Sequence, residues 1–493
     1  MGKKKRHKTK AAKQDLAVAA LPPPSPDGSS TNPPGQHCYD MPYSAAAPRM
    51  INPDLGLHHL VARAGHNAAY EISVTLLDAP DHRLIRSGVL LAHRVLDGRG
   101  EWYISAPDWY PLLPKDRIEL MGHADLPEEL ADMIRPLRRR ATLGPVAALI
   151  CDRREFALRD DQGITLALLR DDKVTVRRGG LTTARYREVL ITPVGPGLTD
   201  EQVAWLDRTL LQCGATHVAR FPRLVSRLGA PATGPTDLPV PGPFDAAAPF
   251  KKFVSQLVAL RLRQIVEADL AIRGGDLGAV DRLADQAARL RLELKGLSVV
   301  LDPEWVEDLY DELGWISLDG GSSNGDGHDR LTARLRSDRY LTVLERLVAA
   351  VRSPRLADQR SDPAGEVLVG LISMAVARMS RCADRLIVDS PDEEWEEAWL
   401  EMGRLEWVVG VAGQVLPEEA ATIQQQLLKP RQLLAEIHND HRRELVTSEQ
   451  VAKLLPAQAF AAGRDFEREY RRVRRSRREF VEVWAKTKKK LGA

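Results

Sequence analysis

Cysteine is scarce: the 493 residues include four, Cys38, Cys151, Cys213 and Cys382. They lie far apart, with neither a CxxC pair nor the Cys/His spacing of a metal module. That excludes a disulfide scaffold and a zinc ribbon and fits a reducing cytoplasm. Long apolar runs are missing as well. No stretch approaches the roughly 18–20 apolar residues that cross a bilayer, and the opening MGKKKRHKTKAAKQ is basic without the apolar core of a secretory signal. A cytoplasmic protein with no transmembrane segment is expected. An excess of one charge is also absent, since 70 Lys and Arg stand against 68 Asp and Glu, a net +2. No whole-molecule field draws polyanions, so nucleic acid is not an expected partner and any anion site has to be local.

What is present divides into two regimes. Residues 1–50 join a Lys-rich start to LPPPSPDGSSTNPPG and read as a disordered basic, Pro-rich tail, because so little apolar surface cannot offset ordering entropy. Over 51–230, short β-rich runs such as AYEISVTLL, GVLLAHRVL, AALICDRREFAL and YREVLITPV alternate with turns, which predicts an antiparallel sheet or barrel. Two helical pieces interrupt it, and the second opens at Thr199 as an N-cap followed by Asp200 and Glu201. The fold class is therefore α+β. A Pro/Gly-rich linker spans 231–249, and over 250–493 a 3.6-residue period dominates, predicting an antiparallel helical bundle of two packed sub-bundles. Within it, DGGSSNGDGHD (319–329) reads as a flexible connection, since it lacks the closing Glu of a calcium loop. His438 and His441 read as packing histidines, and Trp395, Trp399 and Trp407 as core or interface. The arginine-dense end, with Phe466, Tyr470, Phe480 and Trp484 interleaved, reads as a bundle helix with a charged outer face.

Several stretches resemble known motifs. LLDAPDHRLIRSGVLLAHR is similar to the turn and the following strand of the CYTH domain, with Asp78, Pro80, Asp81, Arg83, Leu84, Arg86, Gly88 and Arg94 in place. PVAALICDRREFALRDDQG resembles that family's RTRR strand, LALLRDDKVTV its Asp-bearing neighbour, YREVLITPVG the WREVEVEL strand and FPRLVSRLG the closing segment. In the second half, AVDRLADQAARLRLELKGLSVVLDPEWVEDLYDELGW and EWEEAWLEMGRLEWVVGVAGQVLP resemble the signature helices of the CHAD domain. The resemblance implies an eight-stranded triphosphate tunnel followed by a helical module associated with inorganic polyphosphate.

Such a tunnel works through inward Arg and Lys that hold the phosphates and paired glutamates that carry a divalent metal. Here much of that set is missing. The ExExK strand is not found, the LRRR strand has become Leu91-Ala92-His93-Arg94, an expected Lys falls at Ser105, and the EVEVE pattern keeps Glu188 alone. The cations that remain as phosphate-binding candidates are Arg94, Lys115, Arg117, Arg153, Arg154, Lys173, Arg187 and Arg223. In the helical half, Asp281 and Glu396 stand at the CHAD histidine positions, while Arg289, Arg291 and Arg404 match basic ones. The expectation is a non-catalytic protein with a binding, regulatory or scaffolding role, linked to polyphosphate, another phosphate-rich ligand or a protein partner, and needing no cofactor. The alternative is an active triphosphatase or adenylate-cyclase-like enzyme that gathers Glu71, Glu119 and Glu188 around Mg²⁺ or Mn²⁺.

Overall fold

The structure, a computed structural model, describes residues 36–63, 69–96, 98–120, 125–218, 224–317, 332–357, 361–441 and 455–492. The chain forms two compact units, one ending at Asp237 and the other beginning at Leu238.

The first unit is an antiparallel sheet. Its strands are β1 (His37–Met41), β2 (His59–Ala62), β3 (Ala69–Asp78), β4 (Leu90–Leu96), β5 (Arg99–Ser105), β6 (Asp116–Leu120), β7 (Gly144–Arg159), β8 (Thr165–Arg178), β9 (Leu181–Pro193) and β10 (Thr216–Val218). They lie in the order β10-β1-β9-β8-β7-β3-β4-β5-β6, with β2 paired to β7, and the first expected helical piece forms the short helices α2 (Glu128–Met133) and α3 (Arg135–Arg138) between β6 and β7. Residues 37–41, expected within the disordered tail, instead form β1 inside the sheet. In HCYDM both faces are buried: Tyr39 and Met41 point to one side of the sheet and Cys38 to the other.

Because side chains alternate, the register sorts every strand residue onto one of two faces. Tyr70, Arg153, Asp172, Glu188 and Asp40 stand in one cross-strand row, and Glu71, Asp152, Lys173, Arg187 and Met41 form the next row on the opposite face. The first face carries a core of Ile72, Val74, Leu76, Ala92, Tyr103, Leu149, Cys151, Val174 and Tyr186, to which the short helix α5 (Leu224–Leu228) adds Leu224 and Leu228. On the second face Tyr39, Met41, Leu158, Leu169, Val189 and Ile191 pack with Met50, Leu57 and the helix α4 (Asp200–Gln212), through Leu206 and Leu210. Thr199 caps α4 as expected: its hydroxyl accepts from Gln202 N at 3.3 Å, and Gln202 Oε1 accepts from Thr199 N at 2.8 Å.

The turn after β3 is built on Asp78. Its fully buried carboxylate accepts the backbone N–H groups of Ala79, Leu84 and Ile85 at 2.6, 3.0 and 2.9 Å, fixing the start of α1 (Arg83–Arg86). Gly88 closes that turn at φ +75°, and a Cβ there would meet Asp108 Oδ2 at 2.6 Å. Burial outweighs the three donors and pushes Asp78 up to about 6. A raised carboxylate pKa means that the folded state binds the proton more tightly than the unfolded one. The contribution is therefore largest below the unfolded value and fades as pH rises through about 6, by about 3 kcal/mol in all. Subtracting the stability profile of Asp78→Ala from that of the wild type is expected to show this decline between pH 4 and 7. A flat difference would disprove the assignment.

The second unit is helical: α6 (Phe250–Arg273), α7 (Ala279–Gly296), α8 (Pro303–Ser317), α9 (Asp338–Arg352), α10 (Ala364–Ala383), α11 (Asp392–Ala412), α12 (Pro417–His441) and α13 (Pro456–Lys490). α6 packs on α7 and α9, and α7 on α8; α10 packs on α11, α11 on α12, and α12 on α13. The α7–α11 contact joins the two sets, placing Gly296 where an added Cβ would meet the α11 backbone at Trp407, 3.1 Å away. The loop at 319–329 lies outside the described residues.

Candidate functional site

On the first face of the sheet, where the sequence places several anion-holding side chains, cations and carboxylates alternate. Arg94 on β4, 3% exposed, is paired with its cross-strand neighbour Glu101 and lies 4.3 Å from the Tyr103 ring centroid. Arg153, 1% exposed, donates from Nε and Nη2 to the two oxygens of Asp172 at 2.8 and 2.9 Å, and Arg170 reaches the same carboxylate at 3.1 Å. At the end of the row, Asp40 holds Arg227 at 2.6 Å, and the Arg227 guanidinium lies 5.3 Å from the Tyr186 ring. Burial acts to lower the Arg153 pKa, yet Asp172 holds it above the ordinary arginine value. The first face thus carries a lattice of four arginines (94, 153, 170 and 227), each paired with one of three carboxylates (Glu101, Asp172 and Asp40), while buried Glu188 stands in register between Asp172 and Asp40. A bidentate pair of this kind satisfies the groups that would otherwise seek a phosphate.

Asp40 was not among the sequence candidates. The apolar Cys38, Tyr39 and Met41, set ahead of the first recognised strand, are the signals available, and the composition of the preceding tail masks them. With Glu188 and Asp172 it forms a run of acidic residues across three neighbouring strands. Among the described residues, however, no group of three or more His, Cys, Asp or Glu side chains is placed to hold a metal ion.

The structure separates the carboxylates of the enzymatic alternative. Glu71 is exposed and pairs in register with Asp152 on the second face, whereas Glu188 is 5% exposed on the first. Glu119 sits in register opposite Trp102, and its side chain lies outside the described residues. The expected cations scatter too. Lys115 is exposed with its ammonium 4.8 Å from the Tyr110 ring, and Arg117 pairs with Glu129 at 3.2 Å. Arg223 lies outside the described residues. Arg154, Lys173 and Arg187 are the ones brought together: they line a cleft of about 150 Å³ on the second face, beside Asp152, Asp171, Met50 and Phe156. Arg187 is already engaged there, donating to Asp171 at 2.7 and 2.6 Å and to the Ala45 carbonyl at 2.8 Å.

Local contacts also occupy two of the three helical candidates. Arg291 lies 3.8 Å from the Tyr310 ring, Arg404 is paired with Glu401, and Arg289 is exposed on α7. Of the two acidic residues at CHAD-like histidine positions, Asp281 is exposed, whereas Glu396 meets His438 Nδ1 of α12 at 2.6 Å, with Trp399 stacked on that imidazole at 4.9 Å; further along α11, Glu406 holds Arg431 of α12 at 3.0 Å. His438 is therefore a packing and pairing residue; the side chain of His441 lies outside the described residues. Cysteine chemistry is disfavoured at Cys151, where burial pushes the thiol up to about 12.

No family model matches the chain, and no curated protein sequence does. Among solved structures, PptA from Streptomyces chartreusis matches at 16% identity, covering 48% of this chain and 100% of its own, with a TM-score of 0.35. A candidate adenylate cyclase from Bacillus halodurans matches at 12% identity over 34% of this chain and 95% of its own, TM-score 0.21. HpAC1 from Hippeastrum, a candidate adenylyl cyclase described as having a dominant triphosphatase activity, matches at 11% over 40% of this chain and 98% of its own, TM-score 0.22. At identities and TM-scores this low, the likenesses bear no weight on activity.

Proposed function

We propose that this chain is a non-catalytic binding or scaffolding protein, in which the first unit keeps a CYTH-like strand order and has turned its inward charges into structure. One observation carries the reading: on the first face each of Arg94, Arg153, Arg170 and Arg227 is paired with a carboxylate of the same face. A triphosphate entering there would have to displace those carboxylates and meet their repulsion. The CHAD-like half supports the same reading, because Glu396 and Glu406 pair with His438 and Arg431 where a polyanion groove would need free cations.

The test is direct. The purified chain is incubated with tripolyphosphate or ATP and with Mg²⁺ or Mn²⁺, and then titrated with long-chain polyphosphate at near-physiological salt. We expect no metal-dependent phosphate release. Residual polyphosphate binding is expected to be weak and steeply salt-dependent, as for exposed Arg and Lys that release counterions. Metal-dependent turnover that disappears in Glu188→Gln would overturn the proposal.

A further inference from the structure

The last helix carries a seam that runs past its own partner. Ala459, Gly463, Phe466, Tyr470, Val473, Arg477, Phe480, Trp484 and Thr487 follow one another at alternating steps of four and three, the a/d spacing of a coiled coil. In the C-terminal half of α13 this seam is filled. Phe480 and Trp484 are 0 and 2% exposed, Phe480 meets Trp395 edge-on at 5.7 Å, and Ser476 donates to Glu436 of α12 at 2.8 Å. In the N-terminal half the same seam is left uncovered among the described residues: Phe466 and Tyr470 are 53 and 47% exposed and stack on one another at 6.4 Å. An apolar stripe left exposed along half of a helix is open to cover, since helices gain most of their stability from a packed face.

The flanking charges say what kind of cover. Glu467 and Arg474 border the seam on one side and Glu469 on the other; within one chain they pair with Arg471, Asp389 and Arg472 respectively, at partly or fully exposed sites where exchanging partners costs little. These are the positions that set partner and orientation in coiled coils. When a second copy lies alongside, Arg474 of one chain falls beside Glu467 of the other in an antiparallel pair, or beside Glu469 in a parallel one. A lipid surface fits poorly, because acidic residues occupy the edges where cations would sit among headgroups. Nucleic acid fits poorly too, because Arg464, Arg468, Arg471 and Arg475 lie on the side of the helix opposite Phe466 and Tyr470, so one strand cannot both stack and pair. We propose that residues 459–473 of α13 form a helical pair with the same segment of a second copy of this chain.

Sedimentation equilibrium of the full chain across a wide concentration range tests it. The wild type is expected to give a concentration-dependent dimer. The double substitution Phe466→Glu and Tyr470→Glu, at exposed sites, is expected to give a monomer whose helical circular dichroism and thermal unfolding match those of the wild type at dilutions where the wild type is itself monomeric. Arg474→Glu is expected to weaken the dimer, and adding Glu467→Arg or Glu469→Arg to restore it, according to orientation. A wild type that stays monomeric, or a dimer that survives the double substitution, overturns the proposal. So does co-sedimentation of monomer with anionic vesicles or RNA that depends on Phe466 and Tyr470.

Discussion

Asp172→Ala is expected to lower the unfolding free energy by about 3–5 kcal/mol, the range found when one member of a buried ion pair is removed. The carboxylate serves two guanidinium groups, Arg153 at 2.8 Å and Arg170 at 3.1 Å, and both Asp172 and Arg153 are 1% exposed. The loss therefore comes mainly from stranding positive charge in a low-dielectric core, since the pair itself offsets its own desolvation only in part. Replacing all three together, Arg153→Met, Arg170→Met and Asp172→Leu, is expected to recover most of the stability in a urea melt. If the single substitution costs less than about 1 kcal/mol, the value of an exposed pair, the lattice is solvated and can accept an anion. The functional proposal and this stability measurement thus probe the same charges by different routes.

Trp484→Ala is expected to cost about 3–5 kcal/mol, as large-to-small changes of buried aromatics do. Trp484 stacks on Phe480 at 6.2 Å, and Phe480 meets Trp395, so one ring lost opens a void between α13 and α11. Denaturant melts followed by helical circular dichroism would show the effect. A change under about 1 kcal/mol would mean that this aromatic cluster can collapse around the void.

Much of the architecture was legible, for reasons that can be traced to particular residues. The helices of the second unit were visible because 3.6-residue periodicity is redundant over twenty residues, and α6 begins at Phe250 as the pattern implies. Thr199 announced α4 through a local reciprocal bond that needs no tertiary information. β1 was missed because five residues give little periodicity and the neighbouring Pro- and Ser-rich stretch dominated the composition. Charge pairing was the least legible layer. Glu396 stands at a CHAD-like histidine position, and nothing local in the sequence announces His438, the partner it meets on another helix. The opposite faces of Glu71 and Glu188 follow from register, which depends on pairings between distant strands.

The insertion of β1 between β9 and β10 bears on how the chain is made. Cys38 pairs with Leu190 and with Val218, so the earliest strand obtains both neighbours only after nearly the whole sheet has been synthesised. Contacts this distant in sequence must pay loop-closure entropy before they return any stability, which slows folding. The β7–β8–β9 meander pairs strands that are neighbours in sequence, whereas β1 has no sheet neighbour until β9 has been synthesised. A ribosome-bound intermediate truncated before Thr216 should therefore hold that meander with β1 lacking one of its two edges, a state open to capture by chaperones or by the β1 of another nascent chain.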